Sequence, residues 1–349
     1  MSPVQREPKV RIGVVGCGAV SERYHMPALL ASADVALVAL VDPMIDRARA
    51  LAARAGTPLV LSSHLELPGK VDLAIVATPN AYHERVAVDL LDAGVHVLVE
   101  KPMARTAAEC DRMLAAAAQT NKLLAVGHDF RHFPVARFAR DMFAVDLLGS
   151  IRQVDVRMSA GARWPYASTA ALSPDAGGGV LIDFGVHILD LLLWWLGDLR
   201  PIACRHDAAG GIETECELDL ELAEGAPVHI EFSRARTLRD TVVVEGQRGS
   251  VELSVFEPAL VQLSLPEGNA ELTGYVPDAE FDRSPLPSVF GRQLSNVVGA
   301  IRNRSEPLVG GREGRRVVAL IEDCYALHQP LRFPWDYPEV YTTIGRTGP

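Results

Sequence analysis

The first third of the chain alternates two hydrophobic rhythms. Short, nearly continuous apolar runs lie at 10–15, 35–41, 71–77, 95–99 and 123–126. Helical patterns fill the intervals at 21–31, 45–55, 82–93 and 106–120. Apolar runs without polar alternation, separated by helices, predict a parallel sheet covered on both faces.

The rhythm then changes. After a predicted helix near 135–146, the apolar positions alternate with polar ones. In 214–222, Thr214, Cys216, Leu218, Leu220 and Leu222 share one face, and Glu215, Glu217, Asp219 and Glu221 share the other. Such a strand has one covered and one polar face, the signature of an antiparallel sheet. Further strands are predicted at 228–232, 241–245 and 250–255, with a strong helix at 180–196. The expected architecture is an α/β Rossmann domain, doubly wound, at 1–128. It is followed by an α+β domain with an open-faced, mostly antiparallel sheet at 129–349, whose C-terminal segment is a candidate to pack back on the first domain. The Pro-rich stretch 277–287 reads as a surface loop and 330–349 as a loosely packed tail.

The first strand runs into Gly16-Cys-Gly18-Ala19-Val20-Ser21. Gly16 allows a tight turn, Gly18 lets the backbone approach a pyrophosphate, and Ser21 is small enough for close helix packing. Ala19 and Val20 open a helix whose free N–H groups and dipole favour an anion. Asp42 ends the second strand, where a carboxylate would accept hydrogen bonds from an adenosine ribose. The two features together predict dinucleotide binding. Asp42 would repel a 2′-phosphate, so NAD is expected in preference to NADP, with Arg47 the nearby cation that could soften the choice.

Further motifs follow in order: Ala77-Thr78-Pro79-Asn80 with His83, then Glu100-Lys101-Pro102, then Gly177-Gly-Gly179-Val-Leu-Ile-Asp183-Phe-Gly-Val-His187-Ile-Leu-Asp190. In this sequence the chain resembles the Gfo/Idh/MocA family of nicotinamide-dependent oxidoreductases, from Val10 to about Leu327. The resemblance implies a Rossmann domain, an open-faced sheet domain, and sugar, nucleotide-sugar or cyclitol substrates. It places Thr78, Pro79, Asn80, His83, Glu100 and Lys101 along the cofactor, and Lys101, Asp183 and His187 in the active site. His187 would be the general base, Lys101 would stabilise the alkoxide, and Asp183 would bind a neighbouring hydroxyl or balance charge. Pro102 is a candidate cis peptide.

Spacing alone leaves these residues two readings. Asp183 and His187 are four apart, on one helical face, which suits catalysis or ordinary surface polarity. Asp190 suits a solvated or capping role at least as well as a catalytic one. His128 and Arg131 are candidate substrate contacts. His128 and His132 precede Pro134, which argues against a helical zinc pair, and no metal is expected. Trp164 and Tyr166 lie in a Gly/Pro/Ala-rich connection that could cover a sugar face. Arg234 and Arg236 share parity with the apolar face of their strand. Either they line the cleft and meet a phosphate, or the strand has run beyond its helical cover; the second reading is preferred.

Composition narrows the function classes. Apolar residues are 48% and charged residues 22%, which suits a globular core. The formal charge of −10 disfavours nucleic acid and anionic membranes. Five scattered cysteines without a CxxC pair, and an N-terminus without an apolar run, suit a reducing cytoplasm. The partner expected is a small polyol or sugar, with a homodimer or homotetramer formed through the open sheet face. The row Glu215, Glu217, Asp219 and Glu221 would then need cations opposite or a place at the rim. Two alternatives to a net dehydrogenase or reductase remain: NAD-assisted glycoside cleavage or epimerisation without net redox change, and a non-catalytic sugar-sensing regulator.

Overall fold

The structure is a computed structural model, and it describes residues 7–56, 58–159, 178–208, 212–254, 261–265 and 286–331. Six parallel strands form the first sheet: β1 (Val10–Val15), β2 (Val35–Val41), β3 (Leu59–Leu61), β4 (Leu73–Val76), β5 (His96–Glu100) and β6 (Leu124–Gly127). Their spatial order is β3-β2-β1-β4-β5-β6. The helices are α1 (Met26–Ala31), α2 (Ile45–Arg54), α3 (His83–Asp92) and α4 (Ala107–Thr120). Because β1 pairs with both β2 and β4, the winding reverses at β1. Ligands of open α/β sheets gather at the carboxyl ends of strands beside such a reversal.

Helix α5 (Pro134–Ala144) leads into the second sheet: β7 (Ile151–Ser159), β8 (Leu199–His206), β9 (Glu215–Leu222), β10 (Pro227–Ser233), β11 (Thr241–Gly246), β12 (Gly249–Leu253) and β13 (Val261–Ser264). With β14 (His328–Pro330) it has eight strands in the order β13-β12-β11-β7-β10-β9-β8-β14. Two pairs, β10 with β7 and β14 with β8, are parallel and the other pairs antiparallel. Helix α6 (Val186–Leu196) covers the apolar face. Val154, Val156, Leu218, Leu220, Ile230 and Phe232 of that face are buried in one core with Ile188, Leu192 and Trp195.

Helices α7 (Leu286–Asn303) and α8 (Gly311–Ala326) were not visible in the sequence pattern. Phe290, Leu294, Val297 and Val298 of α7 complete the core on one side of β1, with Ile12, Val14 and Met26. On α8, Val318 joins the core of the first sheet and Leu320, Ile321 and Cys324 that of the second. Helix α8 thus contributes to the cores of both sheets. The proposed loop at 277–287 lies outside the described residues up to 285, and 286–287 already belong to α7. Of the proposed tail, 332–349 lie outside the described residues.

The polar face of the second sheet carries its own counter-ions. Arg205 reaches Glu217 at 3.3 Å and Asp219 at 2.7 Å, His229 meets Asp219 at 2.8 Å, and Arg200 meets Glu221 at 3.0 Å. Glu215 departs from the expected row of exposed carboxylates. It is buried, accepting from Ser233 Oγ at 2.6 Å and Arg236 Nε at 3.0 Å. No helix among the described residues is long and apolar enough to cross a membrane. All five cysteines are free and buried.

Candidate active site

The glycine loop follows β1 and lies against the end of β4. Gly16 has φ +96°, and a Cβ there would meet the Ala77 carbonyl at 2.4 Å. Around a Cβ placed on Gly18 there is open space. Gly16 is thus required by a close approach, whereas Gly18 leaves room for a ligand. Ser21 donates its hydroxyl to the Gly16 carbonyl at 2.5 Å and so closes the loop. A single π turn, Ser21–His25, precedes α1. Asp42 is buried; its Oδ2 accepts from Cys17 N at 2.9 Å and its Oδ1 from Met44 N at 2.8 Å. These bonds hold its carboxylate against the glycine loop, with further lone pairs for a ribose. The Thr78 hydroxyl is buried without a hydrogen-bond partner here. A dinucleotide fits this set: an open approach at Gly18, an oriented carboxylate and an orphaned hydroxyl.

Two of the predicted cofactor residues, His83 and Glu100, have buried partners within the chain. His83 is buried with Nδ1 2.9 Å from the Pro102 carbonyl and Nε2 2.8 Å from the Thr78 carbonyl. Both ring nitrogens thus face backbone carbonyls, one from each of the two loops that flank the ring. Glu100 is buried beneath Gly127, with Oε1 2.8 Å from His25 Nε2. Burial opposes its charge most strongly, but the His25 hydrogen bond and the charges of His25, Lys101 and His83 together outweigh it, and its pKa lies below the ordinary value.

Lys101 ends β5, and its peptide bond to Pro102 is cis. Its Nζ donates to the Asp183 carbonyl at 2.7 Å and to Asp183 Oδ1 at 3.0 Å. Asp183 lies in a second π turn, Leu181–Gly185, immediately before α6. Such insertions concentrate at functional sites. Glu213 holds this turn: its carbonyl accepts from Val180 N at 3.0 Å and its Oε1 from Leu181 N at 3.1 Å. Tyr325 of α8 donates to the same Oε1 at 2.7 Å. A Cβ on Gly179, at φ +131°, would meet this carboxylate at 2.3 Å, which explains a glycine there.

Arg234 also donates to Asp183, at Oδ2. Its side chain enters the cleft and meets a carboxylate, which corrects the preferred reading of a strand beyond its cover. Arg236 turns to the other face, 2.7 Å from Glu231 and 3.0 Å from Glu215. Burial raises the cost of charge on Asp183, but Lys101 and Arg234 outweigh it and hold the carboxyl below the usual range.

His187 stands one turn on, in α6, and keeps 8% exposure. Its ring stacks on Phe130 at 4.1 Å and 17°, with Nδ1 3.4 Å from Asp129 Oδ1. Burial, then Lys101 and His128, hold its pKa well below the ordinary value, so the imidazole is neutral at pH 7. Asp129 was not singled out in the sequence, since nothing local marks it as facing α6.

Arg131, a candidate substrate contact, is buried in a bidentate pair with Asp190, at 2.8 and 2.7 Å. Asp190 is fully buried, which corrects the solvated or capping reading. Breaking a buried pair of this kind costs roughly 3–5 kcal/mol, because the remaining charge loses its partner. His128 is buried with its Nδ1 3.9 Å from Asp190. No metal-binding cluster occurs among the described residues. Trp164 and Tyr166 lie outside the described residues.

Fold and site together define a nicotinamide-dependent oxidoreductase of two domains. Residues 10–128 match the oxidoreductase family with an NAD-binding Rossmann fold, and 136–252 match the GFO/IDH/MocA C-terminal domain. The chain belongs to the Gfo/Idh/MocA family. It is 30% identical to a 1,5-anhydro-D-fructose reductase of Ensifer adhaerens, over 87% of this chain and 92% of that one. It is 29% identical to a putative UDP-kanosamine synthase oxidoreductase subunit of Amycolatopsis mediterranei, over 91% and 95%. Its fold is similar to a 3-ketoreductase from Actinomadura kijaniata in complex with NADP and TDP-benzene, with a TM-score of 0.80, 23% identity and coverage of 93% and 100%.

Proposed function

We propose that the chain transfers a hydride between a nicotinamide dinucleotide and a hydroxyl- or keto-bearing ring carbon of a sugar or nucleotide sugar. The observation that carries this is the Lys101–Asp183 contact, which joins the end of a Rossmann strand to the second domain beside a neutral His187. The 1,5-anhydro-D-fructose reductase and the putative UDP-kanosamine synthase oxidoreductase subunit among the relatives support the substrate class.

Bound nicotinamide supplies the hydride acceptor or donor. Lys101 holds its ammonium where a developing alkoxide needs a cation, already oriented by two bonds to Asp183. Asp183, fixed by Arg234, offers its remaining lone pairs to a neighbouring hydroxyl. His187 takes the hydroxyl proton during oxidation and returns it during reduction.

His187→Ala should lower kcat for sugar oxidation by roughly 10²–10⁴-fold. Lys101→Ala should also reduce kcat, and Lys101→Arg should restore little. NAD affinity should barely change in His187→Ala, since Gly16, Gly18 and Asp42, which would hold the pyrophosphate and ribose, lie in the other domain. Steady-state NADH absorbance over a panel of sugars and nucleotide sugars, with NAD affinity measured separately, checks this. Near wild-type kcat in His187→Ala would remove His187 as the base.

NAD is the preferred cofactor on this reading, because the Asp42 carboxylate is held at the end of β2 by Cys17 N and Met44 N. Titration should give a lower Kd for NAD than for NADP, and Asp42→Ala should narrow the gap. Tighter NADP binding to the wild type would contradict the preference.

The self-paired charges on the open sheet face are suited to contact between copies of this chain. Light scattering should give a dimer or tetramer mass, and a monomer mass would rule that assembly out.

A further inference from the structure

Asp129 opens the short turn Asp129–His132 after β6 and is buried, at 5% exposure. His187 Nδ1 lies 3.4 Å from its Oδ1. Stacking on Phe130 fixes the imidazole plane, so Nδ1 is committed to this side. That nitrogen is buried without a formed hydrogen bond, and the small exposure of the ring leaves Nε2 as the nitrogen for the cleft.

We propose that Asp129 is the positioning residue for proton transfer at His187: its carboxyl and Nδ1 share one proton, and the side holding it decides whether Nε2 acts as acid or base. The proposal rests on His187 being the proton-transfer group described above.

The surroundings favour a carboxyl that changes state. Glu100 of β5, Lys101 just after it and Asp190 of α6 act on the Asp129 charge, His187 of α6 lies 3.4 Å away, Tyr24 of the first π turn feels the carboxylate, and His128 and Arg131 are its neighbours along the chain. Glu100 is paired with His25, Asp190 with Arg131, and Lys101 with Asp183. The neighbouring charges therefore have counter-ions of their own. Burial first, and then Glu100, push the Asp129 carboxyl up to about 8. It is thus protonated at pH 7, while His187 is neutral.

The proton count follows. Below the transition, the Asp129 O–H donates to Nδ1 and the ring proton sits on Nε2. In ketone reduction, the substrate carbon gains a hydride from the reduced nicotinamide and its oxygen gains the Nε2 proton. The Asp129 proton moves to Nδ1, leaving a carboxylate. In oxidation, the alcohol proton goes to Nε2, the Nδ1 proton passes to Asp129, and the carbon loses its hydride to the oxidised nicotinamide. Reduction should therefore be favoured below the transition and oxidation above it.

Long-range ¹H–¹⁵N NMR of the full-length, ligand-free chain tests this without a substrate. From about pH 6 to about pH 10, His187 should stay neutral and change from the Nε2–H to the Nδ1–H tautomer, with its midpoint near the Asp129 transition. A protonated-carboxyl infrared band should fade in step. Asp129→Asn should abolish the change, because an amide does not titrate, and His187→Gln identifies the resonances. A constant tautomer in the wild type, a change that persists in Asp129→Asn, or a tautomer change without loss of the carboxyl band would overturn the proposal. The wild-type measurements stand if the Asn variant fails to fold. The two readings fail separately. Full turnover in His187→Ala removes the base, whereas a constant tautomer with an inactive His187→Ala removes only the role of Asp129.

Discussion

Asp183, whose side chain keeps 42% exposure, is held ionised by two cations from different parts of the chain that converge on it. Lys101 comes from the end of a Rossmann strand and Arg234 from the residue after β10. Neither cation is adjacent to Asp183 in sequence. The contact therefore exists when both sheets are in register, and it sets the distance between the cofactor half and the substrate half. Everything the site does to a sugar oxygen depends on that spacing, since electrostatic stabilisation falls away with small displacements.

The same cation contributes to the state of His187. Burial first, and then Lys101, disfavour a positive charge there, so the imidazole is neutral at pH 7. The cost is a group of buried charges that must be matched individually: Glu100 with His25, and Asp190 with Arg131. Buried pairs of this kind contribute little net stability against an apolar core. Here they hold the segment 127–132 against α6, so that Phe130 and Asp129 face the imidazole.

The parts legible in the sequence were those encoded by neighbouring residues. The glycine loop, Asp42, Lys101, Asp183 and His187 sit in local patterns, and the two sheets announced themselves by their hydrophobic rhythm. The structure corrected what depends on distant partners. Parity put Arg234 on the apolar face, but its target was supplied by a π turn some fifty residues earlier in the chain. Asp190 looked solvated because Arg131 lies 59 residues away. Helices α7 and α8 were missed although both are amphipathic; their partners, the first sheet for α7 and both sheets for α8, lie far away in sequence. Glu215 escaped its exposed row because Arg236 folds over it.

The most direct test of this account follows the hydride itself. NADH deuterated at the transferring carbon would be incubated with the chain and a keto sugar, and the product examined by mass spectrometry and NMR. The account predicts one deuterium on the ring carbon that bore the carbonyl, with an equivalent amount of NAD formed. A reduced sugar carrying no deuterium at that carbon would contradict it, as would consumption of the sugar without oxidation of NADH.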